Sequence, residues 1–101
     1  MTTTAPETYR PCDADELLAQ IGLGNLLCIS GGRAIRRATG VTLPVGHGYK
    51  VEVDLGWDDV WRVRRTFTRG TRVWVKGEQE AYAWQVGEVA YIASCYQNRE
   101  F

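Results

Sequence analysis

The sequence contains few of the residues from which metal sites and disulfide frameworks are built. It has one histidine, His47, and three cysteines, none of which forms a CxxC pair. An odd number of cysteines without such pairs is typical of reduced thiols and argues against a zinc site. We therefore expect no metal, no cofactor and a cytoplasmic location.

Long apolar runs and an excess of charge are also absent. No segment approaches the roughly 18 apolar residues of a membrane span, and the first 12 residues lack the features of a secretion signal. Twelve Lys and Arg balance twelve Asp and Glu, so no basic half indicates nucleic acid. We expect one domain over residues 1–101, with residues 1–12 as a loose N-terminal arm, and no membrane association.

The first regular element should be a short helix. Asp13 and Glu16 have the spacing of a capping box, in which the first side chain accepts from a free amide of the helix. Gly22 or Gly24 should end the helix, because glycine adopts the left-handed conformation without steric cost. The buried stripe should comprise Leu17, Leu18 and Ile21.

The next segments indicate strands. Residues 25–30 form an apolar run between glycines, which predicts a strand buried on both faces with Cys28 as a small apolar filler. Residues 33–39 fit either a helical turn or a loop. Alternation over residues 41–45 predicts another strand, with Pro44 near an edge or an end.

Period-two alternation from Tyr49 to Gly77 predicts three further antiparallel strands. Matching apolar with apolar residues sets Leu55 opposite Trp61 in the first hairpin. The same test sets Phe67 opposite Val73 in the second hairpin and requires a loop of three or five residues. Two exposed, mutually paired charged rows then follow: Glu52, Arg64, Lys76 and Asp54, Arg62, Glu78. Arg65 falls on the apolar face and does not fit it.

Helical spacing predicts a final helix over residues 78–97 that covers the sheet. Its core sector should comprise Tyr82, Val86, Val89, Ala90, Ala93 and Tyr96. The opposite side carries Trp84, Glu88, Tyr91 and Cys95, which we interpret as a partner-binding surface, since aromatic residues commonly anchor interfaces. The alternative is that another part of the chain packs over this side. The whole pattern predicts an α+β fold: a short helix, an antiparallel, largely meander sheet of about five strands, and a helix packed on one face.

The strongest candidate anion site comprises Gly31, Gly32, Arg33, Arg36 and Arg37. Glycines at a strand end can turn their amides towards a phosphate, although a solvated loop explains the same pattern. A second basic group resembles a surface for single-stranded nucleic acid: Arg62, Arg64, Arg69, Arg72 and Lys76 with Trp74. The interleaved carboxylates of the predicted sheet argue against this second site.

His47 lies between two glycines and could serve as a base or pair with Cys28. A solvated turn residue and a buried filler thiol account for them more simply. We expect no catalytic residue in this chain.

The order of these signals resembles a group of small proteins from phages and prophages of actinobacteria. The resemblance covers most of residues 13–97 and rests on a capped first helix, Gly24-Asn25-Leu26-Leu27, Arg69-Gly70-Thr71 and Tyr82-Ala83-Trp84-Gln85-Val86. The group usually has Asp where this chain has Trp84, and its last strand is about one residue longer. The resemblance implies origin and fold layout and carries over no functional residue.

Two hypotheses about function follow. The first is a non-enzymatic interaction protein of phage origin that binds a host cytoplasmic protein, or a second copy of itself, through the outer face of the last helix. The second is a small nucleic-acid or nucleotide-phosphate binder that uses residues 31–37.

Overall fold

A computed structural model of the chain describes residues 9–95 and confirms an α+β fold. Its elements in chain order are α1 (Ala14–Ile21), α2 (Leu23–Ser30), β1 (Ile35–Arg37), β2 (Gly40–Gly46), β3 (Tyr49–Leu55), β4 (Trp61–Arg69), β5 (Arg72–Ala81) and α3 (Val86–Ser94). The strands lie side by side in chain order, each antiparallel to the next. The sheet is therefore the predicted meander.

The capped first helix is also confirmed. The Asp13 carboxylate accepts hydrogen bonds from the amides of Asp15 (2.9 Å) and Glu16 (3.3 Å), and α1 ends at Gly22, whose φ is 92°. Leu17 and Ile21 are fully buried against the sheet. The glycine turn leads directly into α2.

The strand predicted at residues 25–30 is wrong, because this apolar run lies in α2. A short apolar run fits a helix as well as a strand when no alternation is present. Only Leu26, Ile29 and Ser30 of the helix are buried, and Cys28 is exposed rather than a core filler. Residues 35–37 form the short edge strand β1. Neither interpretation of residues 33–39, a helical turn or a loop, predicted this strand. The predicted number of strands is therefore right, although one member was misplaced.

The predicted register between β3 and β4 is confirmed, with Leu55 opposite Trp61 and Tyr49 opposite Phe67. The predicted register between β4 and β5 is wrong. The hairpin has a two-residue turn, Phe67 lies opposite Trp74, and the pairing shifts between Arg65 and Thr66. This shift leaves Lys76 as an extra, bulged residue in β5.

The bulge reverses which residues of β5 face the helices. We call the helix-covered side of the sheet the inner face and the opposite side the outer face. Beyond the bulge, Trp74 lies on the inner side, whereas Val73 and Val75 lie on the outer side and are exposed. The charged rows change accordingly: Glu78 lies opposite Arg64, and Glu80 lies opposite Arg62. Lys76 belongs to neither row.

The prediction that the charged rows are exposed is wrong for Asp54, which is completely buried, and Glu52, Arg62 and Arg64 are only partly exposed. Residues near the N-terminus contribute to this burial. The Arg10 amide donates to Leu55 O (2.8 Å), the Cys12 amide donates to Ala38 O (3.0 Å), and the Arg64 guanidinium lies 5.1 Å from the ring centre of Tyr9. Residues 9–12 of the predicted arm thus contact the sheet, and residues 1–8 lie outside the described range.

The hydrophobic core lies between the inner face and all three helices. Strands β2, β3 and β4 contribute Val41, Leu43, Val51, Val53, Trp61 and Val63; the helices contribute Leu17, Ile21, Leu26, Ile29, Val86, Ala90 and Ala93. Apart from Trp61, the core is built from aliphatic residues at alternating strand positions and along one side of each helix.

The final helix is shorter than predicted. Residues 78–81 belong to β5, residues 82–85 form a turn, and α3 begins only at Val86. Tyr82 was assigned to the core but is exposed, whereas Val86, Ala90 and Ala93 are buried as expected. Tyr96 and residue 97 lie outside the described range.

Arg65, the one charged residue that the sequence placed on the apolar face, is buried there in the structure. Its Nε donates to Ala93 O (2.7 Å), and its Nη2 donates to Cys95 O (2.8 Å) and Ile92 O (3.2 Å). These carbonyls lie at the C-terminal end of α3, where the helix has acceptors without helical partners and a negative partial charge. The guanidinium therefore joins the sheet to the end of α3.

Candidate functional site

The predicted partner surface is only partly a helix face. Glu88 and Tyr91 lie on the exposed side of α3, and Cys95 is the half-buried residue that ends the helix. Trp84 lies in the turn before α3 and therefore does not share a helical stripe with them. It is nevertheless 80% exposed, more than any other large apolar side chain among residues 9–95.

Trp84 has an aromatic neighbour that the helical wheel did not identify. The rings of Tyr82 and Trp84 are stacked, with centroids 4.9 Å apart and planes at 8°. Tyr82 is itself 50% exposed. We call these two side chains the aromatic plate. The signal in the sequence is the Tyr-Ala-Trp spacing, which would place both rings on one side of an extended segment but on different sides of a helix.

Gln85 fixes the turn that carries the aromatic plate. Its amide donates to Tyr82 O (2.8 Å), and its side-chain Oε1 accepts from the Tyr82 amide (3.2 Å). Val86 then enters the core completely. The turn is therefore anchored at both ends, so the plate projects from a defined backbone conformation.

The candidate anion site does not begin at a strand end, as the sequence suggested, but at the C-terminal end of α2. The amides of Gly31 and Gly32 donate to Leu27 O and Leu26 O, both at 3.0 Å. These bonds satisfy the last carbonyls of the helix. The two amides are thus engaged within the chain, and a helix C-terminus presents a negative rather than a positive partial charge.

The three arginines of this candidate site have separate partners. Arg33 Nε donates to Ser30 O (3.2 Å), and Arg36 Nε forms an ion pair with Asp15 (2.8 Å) on α1. Arg37 turns to the outer face of the sheet, where it binds Asp54. The structure does not bring these guanidinium groups together. Anion binding by residues 31–37 stays a prediction.

An ionic group with one completely buried carboxylate, Asp54, lies where Arg37 reaches the outer face. We call it the carboxylate–arginine cluster, and it comprises Arg37, Glu52, Asp54 and Arg64. Arg37 binds both oxygens of Asp54, at 2.8 and 3.2 Å, and Arg64 binds Asp54 from the next strand. Glu52 lies 3.5 Å from Arg64. The sequence could not reveal this cluster, because Arg37 appeared in an undefined loop.

The cluster lines a cleft of about 440 Å³ together with Tyr9 and Pro11. Its two positive and two negative side chains balance, and each carboxylate faces an arginine of the cluster. One atom stands apart: Arg64 Nε is buried and has no hydrogen-bond partner among residues 9–95. Burial raises the pKa of the nearby Tyr9 phenol and of the Cys12 thiol. The arrangement joins β1, β3 and β4 through charge-assisted hydrogen bonds, which are stronger than neutral ones.

The other candidate residues are dispersed. His47 is exposed in the two-residue turn between β2 and β3, where its φ of 56° and that of Gly48, 86°, suit a tight hairpin. Cys28 is exposed on α2. Within residues 9–95, no group of three or more His, Cys, Asp or Glu side chains is arranged to hold a metal ion. No helix in that range has the length and apolar character needed to cross a membrane.

Comparison with protein-family models, curated proteins and solved structures found no match to this chain. The resemblance to phage proteins therefore stays a prediction from the sequence.

Proposed function

We propose that this protein is a non-enzymatic interaction module that binds another protein through the aromatic plate. The supporting observation is the stacked, exposed pair of Tyr82 and Trp84 on an anchored turn. Tryptophan and tyrosine provide large contact areas at low entropic cost and dominate the binding energy of many interfaces. Glu88 and Tyr91 on the exposed side of α3 extend the proposed contact.

The proposed partner is a different protein with an apolar pocket rather than a second copy of this chain. Trp84 projects from the surface, and a two-fold contact would set one projecting plate against another. An anchor of this kind is suited to insertion into a concave site on another molecule. On the resemblance to phage proteins, we propose a cytoplasmic protein of an actinobacterial host.

The test is photo-crosslinking followed by titration of the purified partner. A benzophenone amino acid is placed at position 88, which leaves Trp84 intact, and, as a control, at position 57, where Trp57 is 60% exposed on a different turn. We expect one host protein to crosslink from position 88 and not from position 57. The purified partner should bind with an affinity that changes less than threefold between 0.1 and 1 M NaCl, since apolar contacts are little screened.

The double variant Trp84→Ala/Tyr91→Ala should melt close to the parent protein and bind the purified partner at least about 30-fold more weakly, which corresponds to about 2 kcal/mol. The control Trp57→Ala should bind normally. Equal weakening by the control, crosslinking from both positions, or a double variant that melts far below the parent would each contradict the proposal.

A further inference from the structure

Among residues 9–95, the end of the sheet formed by the β4–β5 hairpin carries positive charge without carboxylates. It contains Lys50, Arg69, Arg72 and Lys76, and none of them forms an ion pair within residues 9–95. No Asp or Glu occurs between residues 60 and 77. The opposite end of the same strands is different, because Arg62 and Arg64 there are paired with acidic residues. The net charge of zero therefore hides a strongly uneven distribution.

An aromatic row lies on the same side of the sheet as Arg69 and Arg72. Tyr49, Phe67 and Trp74 come from three adjacent strands and occupy the inner side of the sheet. Their ring centroids are 4.9 Å apart for Tyr49 and Phe67 and 5.8 Å apart for Phe67 and Trp74. Trp74 is the outermost ring and is 40% exposed. The row thus ends in an accessible indole.

The helices stop short of this row. Arg65 binds the last carbonyls of α3, and Phe67 is the next residue of β4 on the same face. Arg69 follows Phe67 on the same face of β4, and Arg72 of β5 lies opposite Arg69. Each step of two residues along a strand covers about 7 Å. A base stacked on Trp74 would therefore have its phosphate within reach of both arginines.

We propose that this surface, the basic tip comprising Arg69, Arg72, Trp74 and Lys76, binds single-stranded nucleic acid. Unpaired bases stack on aromatic side chains in a sequence-tolerant way, and arginine and lysine bind the backbone phosphates. An acidic peptide would match the charge but has no flat group for Trp74. This site is separate from the aromatic plate and does not depend on the proposed protein partner.

The test is fluorescence anisotropy with fluorescein-labelled (dT)15 at several NaCl concentrations. We expect Arg69→Ala/Arg72→Ala to weaken binding at least tenfold and to make the slope of log K against log[NaCl] shallower by about 1.4, the value for two lost phosphate contacts on a single strand. Trp74→Leu, which keeps apolar packing against Phe67, should weaken binding about 5- to 100-fold.

Matched controls use residues away from the tip. Arg33→Ala/Arg36→Ala removes the same charge from the other candidate anion site, and Trp84→Leu removes another exposed indole; both should bind within twofold of the parent protein. Four results would overturn the proposal: no binding of (dT)15 at 50 mM NaCl, equal weakening by the controls, equally tight binding of a 15-base-pair duplex, or equally tight binding of polyglutamate.

Discussion

Arg37 and Asp54, 17 positions apart in the sequence, form a two-point contact: Nη1 to Oδ1 at 2.8 Å and Nη2 to Oδ2 at 3.2 Å. Thr39 Oγ1 donates a third hydrogen bond to Asp54 at 2.6 Å, and Arg64 adds a fourth. Because Asp54 is completely buried, these donors replace the water that its carboxylate loses on folding.

Removing the negative charge from this contact should therefore be costly. We expect Asp54→Asn to lower the free energy of unfolding by about 3 kcal/mol, because both arginines would lose the carboxylate that compensates them. Urea unfolding measures the loss. The control is Asp58→Asn, which removes the exposed partner of Arg62 and should leave the urea midpoint nearly unchanged. Equal losses for the two variants would show that burial of Asp54 is not the cause.

The contact between Arg65 and α3 predicts a difference between arginine and lysine. Three carbonyls accept from one planar guanidinium, and a lysine ammonium cannot match that geometry. Arg65→Lys should cost about 1–2 kcal/mol, and Arg65→Met, which leaves the carbonyls without a donor, should cost about 3 kcal/mol. Amide hydrogen exchange should accelerate most in the last turn of α3. Unchanged exchange in Arg65→Lys would mean that the guanidinium does not hold the helix end.

Two helical glycines should respond in opposite ways to alanine. A Cβ at Gly87 would lie 2.5 Å from Ile21 O and 2.7 Å from Asn25 Nδ2, so α3 could no longer approach α1 and α2. A Cβ at Gly24 would have no atom within 4 Å. Gly87→Ala should destabilise the protein by at least about 1–3 kcal/mol, a typical cost of overpacking, despite the better helix propensity of alanine. Gly24→Ala should stabilise it by up to about 1 kcal/mol. Thermal melts of the two variants in parallel measure these changes, and equal shifts in Tm would contradict the prediction.

The cysteines should differ in reactivity. Burial raises the pKa of the Cys12 thiol, and the Asp54 carboxylate adds to the effect, whereas Cys28 is exposed on α2. Iodoacetamide should label Cys28 first at pH 8, and the midpoint of the labelling rate of Cys12 should lie above the usual value of about 8.5. Peptide mass spectrometry after timed quenching distinguishes the sites.

The same shift predicts a dependence of stability on pH. Because the pKa of Cys12 is higher in the folded than in the unfolded state, its protonated thiol favours folding. This contribution to the free energy of unfolding is complete below about pH 8.5 and declines as the pH rises through the folded-state pKa. Cys12→Ala should remove this decline. An identical decline in the variant would assign it to another group.

The sequence predicted those parts of the fold in which local pattern and pairing agree. The register of β3 and β4 follows from alternation on both strands, because a slip of one residue would bury Glu52 and expose Val53. Residues 25–30 lack alternation, so their helical state depends on packing by Leu26 and Ile29 against the sheet. Residues 78–81 fit a helical pattern but belong to β5, where Glu78 and Glu80 lie opposite Arg64 and Arg62 of β4. The helical wheel does not contain this cross-strand charge signal.

The candidate sites were less predictable for a related reason. Trp84 was identified correctly as exposed, but its stacking on Tyr82 depends on the turn that Gln85 closes. The carboxylate–arginine cluster joins residues from three strands, and one of those strands was not foreseen. Residue type alone identified single candidate residues. The side chains that contact them could be identified only from the tertiary structure.

The bulge at Lys76 accommodates one residue more than a regular ladder between β4 and β5 needs. Deleting Lys76 would restore a regular ladder and keep Val75 opposite Thr66 and Trp74 opposite Phe67. A ladder that instead kept Lys76 and paired it with Thr66 would turn Arg72, Val73, Trp74 and Val75 to the opposite sides of the sheet. Evolution of this hairpin should therefore tolerate the loss of residue 76 as readily as its replacement.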